Sequence, residues 1–297
     1  MKKQKTKKNN NKKTKKNNKK NNKKTIKKLN CSPNKKLDFT CYSPKSLIKL
    51  RNKWNLENKD KQIKSNDLYI IWNTLNKYLQ DTCSNEHCWL SKEFISNDLD
   101  STLSKNTFAP FAPPTWKKNP NEWLSSVDIN KVMHQYENKY KNFKFIGPSP
   151  IDFDKKKTFS QCVWNDLCHF SIKKYKDEGI NKIGIIFNTD PHHLSGSHWI
   201  CLFINLENKF IYYFDSNADT IPKEVNKLIR KIKRQAKSLN IDLKEIINKT
   251  THQRSNTECG MYVLYIIISL LKNKECPNFT DRIPDKEMEK LRKIFFN

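Results

Sequence analysis

The chain has 297 residues, with 58 Lys and Arg against 30 Asp and Glu, a formal net charge of +28, and only 36% hydrophobic residues. That length suits one large domain or two modest ones. The longest apolar run, Met261–Leu271, holds 11 residues against the ~20 needed to cross a bilayer, which excludes a membrane-spanning helix, and the charged start without an apolar stretch is no secretory signal. Five glycines form no Gly-rich phosphate loop, so nucleotide-driven chemistry is set aside. Nine cysteines in a chain read as unsecreted predict reduced thiols in a cytosolic compartment, not a disulfide framework.

Residues 1–36 contain 17 lysines and no acid, with Ile26 and Leu29 as their only aliphatics. Such a segment buries too little apolar surface to offset chain entropy, so residues 1–37 are expected to be a disordered basic tail. It could bind nucleic acid or an acidic surface, or simply keep the chain soluble. Order is expected from residue 38. Ser43 and Pro44 form an N-cap followed by proline at the first helical position, with Leu47, Ile48, Leu50 and Trp54 at helical spacing. Asn66 is expected to cap a second helix whose face carries Leu68, Ile71, Trp72, Leu75 and Leu79. The two helices make an arm over residues 38–82, ahead of a core at 83–297. Pro110, Pro113, Pro114 and Pro120 mark an irregular connector, and Asp128–Tyr140 returns to a helical pattern.

From residue 181 the pattern changes to strands. Lys182–Thr189, His198–Asn205 and Phe210–Phe214 are β-branched and aromatic runs, the last two separated by a turn at Glu207-Asn208-Lys209. Val225–Leu239 reads as a basic amphipathic helix, Lys244–Lys249 as a short strand, and Cys259–Lys272 as a helix apolar on nearly every side, suited to burial against a sheet.

Three residues in this region could form a nucleophilic site. Cys259 lies at the start of the apolar helix, where free N–H groups and the helix dipole favour a thiolate. The adjacent Gly260 would let a substrate backbone come close and would permit an unusual dihedral beside the thiol. His198 begins one strand and Asp215 ends the next, so a hairpin would bring them together as a general base and its orienting carboxylate. Taken singly, each has a plainer role: a buried small hydrophobe, a surface histidine and a turn former. Cys201, inside a strand, and Cys276, before a proline, compete poorly with Cys259. Two clusters, Cys83 with His87 and Cys88, and Cys162 with Cys168 and His169, lack the paired spacings of a zinc site, so no metal is expected.

These residues resemble a known family. Gly196-Ser197-His198-Trp199, Tyr213-Phe214-Asp215-Ser216, and Gln253 six positions before Cys259-Gly260 are similar to the His–Asp–Gln–Cys signature of the Ulp/SENP and adenovirus-protease clan. Within it, the flanking Phe187-Asn188-Thr189-Asp190, His252-Gln253-Arg254-Ser255 and Thr257-Glu258-Cys259-Gly260 resemble the polyprotein-processing branch of African swine fever virus and other large DNA viruses. The resemblance covers residues 45–297 and is strongest from 181 onward. It implies an α+β fold with a papain-like cysteine peptidase core of a central mixed sheet flanked by helices. By position it implies Cys259 as nucleophile, His198 as base, Asp215 as the orienting acid and Gln253 as an oxyanion-hole donor. Trp199, Asn188 and Gly260 would then line the substrate channel. The swine fever enzyme has Asn where this chain has Asp215, and Asp is the clan's usual choice.

The resemblance implies as substrate a structural polyprotein cut after Gly-Gly-X during virion maturation, in the virion and the host cytoplasm, and a channel walled by an aromatic gives the preference for glycine a steric logic. No cofactor is required, although adenovirus-type enzymes use DNA as a stimulant, and the tail could serve that role here. Two other functions remain open: an isopeptidase for ubiquitin-like modifiers, and an inactive nucleic-acid-binding virion protein.

Overall fold

The computed structural model describes residues 28–92, 103, 106–157, 161–273 and 279–297; residues 1–27 of the tail and Cys276 lie outside them. Helix α1 (Pro44–Glu57) starts as its sequence predicts, with the Ser43 hydroxyl accepting the Ser46 N–H and proline in the first turn. Helix α2 (Leu68–Leu79) is capped by Asp67, one residue after the expected Asn66. The Asp67 carboxylate accepts the Ile70 N–H at 2.8 Å, whereas the Asn66 side chain is drawn away by Arg51 at 2.6 Å. Two of the expected boundaries move. The apolar cluster of the arm runs from Cys41 through Leu47, Leu50, Ile71 and Leu75 to Trp89 and Phe108, so the arm extends well past residue 82. Residues 28–37, expected to belong to the tail, are held in the fold: Asn30 is bonded to Asn297 and Ser32 to Thr107.

Helix α3 (Ser126–Lys139) opens with a reciprocal capping box between Ser125 and Asp128. It leads into strand β1 (Phe143–Pro150), which the sequence reading missed. Gly147, Pro148 and Pro150 are residues that ordinarily interrupt a strand, and the β1 register does shift between Ile146 and Ser149. After a single turn at Asn165–Cys168 and helix α4 (Ile172–Asp177) come β2 (Lys182–Asn188), β3 (Trp199–Asn205) and β4 (Phe210–Phe214). Helix α5 (Lys223–Lys237), strand β5 (Lys244–Ile247), helix α6 (Cys259–Lys272) and helix α7 (Asp285–Phe295) complete the chain. The strands form one sheet in the order β1-β2-β3-β4-β5. The outer pairs are parallel and the inner pairs antiparallel. The fold is α+β, as expected.

Period-two alternation sorts the side chains of the sheet into two cores. Trp199, Cys201 and Phe203 of β3, with Phe210, Tyr212 and Phe214 of β4, face α3, α6 and α7. Ile200, Leu202 and Ile204, with Ile211 and Tyr213, face α4 and α5. With both faces covered, every residue of β3 is buried. Each fully buried Ile, Leu or Phe contributes roughly 1.5–3 kcal/mol relative to exposure. The same packing buries α6 and sets its first residue at the end of the sheet where β3 begins and β4 ends.

The cysteines correct one expectation. Cys31–Cys41, Cys83–Cys88 and Cys162–Cys168 are disulfide-bonded, with Cα atoms 5.0, 5.5 and 6.2 Å apart, while Cys201 and Cys259 are free. The pairs are separated by only 5 to 10 residues and close local loops around turns, a proximity that compartment arguments do not address. No helix among the described residues is long and apolar enough to cross a membrane.

Candidate active site

The hairpin of β3 and β4 aligns Cys201 with Phe214. Continued beyond the ladder, that register sets Asp215 diagonal to His198, within reach of a side-chain contact. His198 Nε2 and Asp215 Oδ1 are 2.7 Å apart. Asp215 is buried and fixed on all sides: its Oδ1 also accepts the Asn217 N–H at 2.9 Å, and its carbonyl accepts Asn248 Nδ2 at 2.7 Å. The Cys259 side chain acts on the same imidazole, and with Nε2 held by Asp215 the nitrogen left for the thiol is Nδ1. Burial alone would lower the His198 pKa, but the hydrogen bonds and negative charges of Asp215 and Cys259 outweigh it and push it up to about 10. The buried Asp215 carboxylate thus favours the protonated form of His198. Cys259 is the first residue of α6 and is buried.

Gln253 is anchored through both ends of its amide. Its Oε1 accepts the Ser216 hydroxyl at 2.8 Å and its Nε2 donates to the Ser255 carbonyl at 2.6 Å, while the backbone N–H groups of His252 and Gln253 both donate to the Ser216 carbonyl. One Nε2 hydrogen remains for another acceptor. His252 is fully buried; it accepts the Ile283 N–H on Nδ1 and faces Asn248 through Nε2. Burial, and then the Arg282 charge, lower its pKa, so it is a neutral structural histidine.

Residues 129–297 match the model of the Ulp1 protease family, C-terminal catalytic domain. The chain belongs to the Ulp1 protease family. Its relatives include a putative thiol protease of Acanthamoeba polyphaga mimivirus, 32% identical over 236 residues that cover 79% of this chain and 76% of that protein. Another is a SUMO-1 cysteine protease of African swine fever virus, 27% identical over 72% of this chain and 83% of that one. A crystal structure of the African swine fever virus protease superposes with a TM-score of 0.62 at 23% identity, covering 92% of this chain and 97% of its own, which shows the fold. The chain is a cysteine peptidase with relatives in giant DNA viruses.

In this Ulp1-family peptidase the three expected channel residues have distinct surroundings. The Trp199 ring is buried and donates its indole N–H to the Leu124 carbonyl at 3.0 Å. Gly260 is not open to a substrate backbone: a Cβ there would lie 2.8 Å from Leu124 Cβ. Gly260 lies in the first turn of α6 without a positive φ, so its small size admits Leu124, and no unusual dihedral is needed. Asn188 braces the loop ahead of His198, its Oδ1 accepting the Asp190 N–H at 2.9 Å and the Ser197 N–H at 3.4 Å. Gly196 in that loop has φ +95°, and a Cβ there would meet Asn188 Nδ2 at 2.5 Å. Asn188 and Trp199 also line a cleft of about 340 Å³ with Ser149, Trp164 and Leu194. Leu124, which ties Trp199 to the start of α6, was missed in the sequence, and its only signal is a place just before the Ser125 cap. Next to it, Trp123 stands 43% exposed.

Among the described residues, two clusters offer three metal-type ligand atoms within 4.8 Å, Cys162 with Cys168 and His169, and Asp152 with His192 and His193. In the first, the two sulfurs are bonded to each other. In the second, Asp152 is already paired with His192, at 2.7 Å between side chains.

Proposed function

We propose that the chain is an endopeptidase that cuts structural polyproteins after Gly-Gly-X during maturation of a large DNA virus, in the virion and the infected cytoplasm. The observation that carries this reading is the single imidazole of His198, held at 2.7 Å by buried Asp215 and raised in pKa by Asp215 and by Cys259 at a helix start. Cys259 gives its proton to His198 and the thiolate attacks the scissile carbonyl. The Cys259 N–H and the free Nε2 hydrogen of Gln253 receive the oxyanion; one such donor is worth ~3–4 kcal/mol in the transition state. His198 then protonates the leaving amine as the C–N bond breaks. Water, deprotonated by the same imidazole, hydrolyses the thioester and frees the enzyme. Trp199 and Leu124 pack in one cluster with Cys259, and an approach walled by them favours glycine, a residue without a side chain, on the acyl side of the bond.

The test is incubation of the protein and its Cys259→Ala variant with polyprotein fragments containing Gly-Gly-X sites, with cleavage mapped by mass spectrometry. Cleavage after Gly-Gly-X by the wild type alone supports the reading. Cleavage of a folded modifier fusion, with short Gly-Gly-X peptides left intact, would replace it with a modifier isopeptidase.

A polyanion partner is a second, compatible reading, favoured by α5. Lys223, Lys227, Arg230, Arg234 and Lys237 recur every three or four residues and are all exposed, forming a cationic stripe of about 21 Å at 1.5 Å per residue. Asp154 pairs with Lys227 at 2.8 Å and Glu224 with Lys223 at 3.8 Å, which leaves Arg230, Arg234 and Lys237 to meet phosphates. DNA bound along this stripe, together with the basic tail, would place the peptidase on a packaged genome.

A further inference from the structure

The acid that precedes the nucleophile is held in an uncommon way. Glu258 is the N-cap residue of α6, beside the free N–H groups and positive dipole end of the first turn, which attract a carboxylate. Here it makes no bond to them. Its carboxylate instead accepts Arg292 Nε at 2.8 and 3.2 Å and the Thr257 hydroxyl at 3.2 Å. Arg292 also donates through Nη2 to the Thr257 carbonyl at 3.2 Å, and its guanidinium carbon sits 4.7 Å over the Trp116 ring. The Arg292 side chain is 4% exposed and that of Glu258 0%. A buried charge of either sign is costly unless matched, and α7 supplies the match one residue from Cys259.

We infer that Arg292 is a positioning residue for Cys259: it draws the Glu258 carboxylate away from the first turn of α6, leaving the Cys259 N–H open to an oxyanion, and it cancels a negative charge that would oppose the thiolate. The inference rests on Cys259 being the attacking thiol. The other ionisable groups around that turn have partners of their own or lie within the sheet. His198 and Asp215, from the ends of β3 and β4, are bonded to each other, and the Cys201 thiol is buried inside β3. Along α7, Asp285 pairs with Arg282 at 3.2 Å and accepts the Tyr262 hydroxyl at 3.1 Å. His252 is occupied by Ile283 and Asn248. Among the described residues, the cation bonded to Glu258 is Arg292.

The experiment follows the rate of Cys259 alkylation by iodoacetamide against pH in the full chain, with the modified peptide identified by mass spectrometry. Arg292→Gln should move the midpoint up by about one pH unit, the order of shift that one unmatched neighbouring charge produces. The kcat for Gly-Gly-X cleavage should fall about 10²-fold, as for loss of an oxyanion donor, with KM changed far less. Combining Glu258→Gln with Arg292→Gln should return the midpoint to that of the wild type. A folded Arg292→Gln protein with the wild-type midpoint overturns the inference, as does an equal loss of kcat in the single and double variants. If Arg292→Gln does not fold, Glu258→Gln decides alone: keeping the cation without the acid should lower the midpoint, and an unmoved midpoint overturns the inference. Alkylation needs no substrate. A wild type that cleaves no Gly-Gly-X fragment, while its variants shift as expected, would reject the substrate assignment and support the role of Arg292.

Discussion

His198 carries the pH response of the site. Its pKa of about 10 lies above the ~6.5 of a free imidazole, so the folded state binds this proton more tightly than the unfolded state does. The resulting stability is complete below about pH 6.5 and is lost as pH rises through about 10. His198→Gln should therefore flatten the decline of Tm between pH 7 and 10 relative to wild type, measured by calorimetry. Parallel Tm curves would contradict the role of the ion pair. The same residue sets the alkaline limb of kcat/KM, and Asp215→Asn should move that limb to lower pH. Residue-scale reading of the sequence reached His198, Asp215, Gln253 and Cys259 because each lies in a short motif of unusual side chains. It did not reach Leu124 or Arg292. A leucine before a helix cap and an arginine in a basic helix look like many others, and their partners lie 75 and 34 positions away.

At the scale of elements, legibility follows burial pattern. The strands β2 to β4 and the helix α6 were read to within a residue or two, since each is a dense apolar run bounded by turn residues. β1 escaped because its prolines and glycine mimic a loop, although its pairing with β2 gives it a defined place at the sheet edge. Helix α5 shows both sides of this. Its buried Val225, Leu228, Ile229 and Ile232 pack on the sheet, and their spacing obliges the cations to share the outer face. Charge reversal at Arg230 and Arg234 should weaken binding of duplex DNA and reduce the slope of log affinity against log salt by about 2, since each phosphate contact contributes ~0.9. Hydrolysis of a short peptide without DNA should be unchanged, because neither residue belongs to the cleft or the triad. An unaltered salt slope would remove α5 from the binding surface.

Over the whole molecule, the two ends of the described chain meet. The Asn30 N–H donates to Asn297 Oδ1 at 2.6 Å, and its side chain donates to the Lys293 and Phe296 carbonyls. Asn297 Nδ2 reaches the Ala109 carbonyl at 2.8 Å, and the Cys31–Cys41 disulfide locks the strap beside this clasp. The clasp fastens the end of α7, the helix that delivers Arg292. Removing residues 1–34 should cost ~2–3 kcal/mol from the lost ten-residue cross-link alone, a drop of roughly 3–5 °C in Tm for a protein of this size. Thermal unfolding in oxidising buffer checks this, and an unchanged Tm would show the strap to be a passive appendage.

What the sequence by itself determined is whatever neighbours along the chain decide. Alternation put β3 and β4 into a hairpin, an apolar helix placed its first residue at the end of the sheet, and side-chain chemistry marked Cys259 and His198 as a pair. Only the tertiary structure decided that Gly260 makes room for Leu124 and that an arginine near the C-terminus neutralises the acid beside the nucleophile. Each of those contacts joins positions whose separation is bridged by packing, and packing depends on the shape of the entire core.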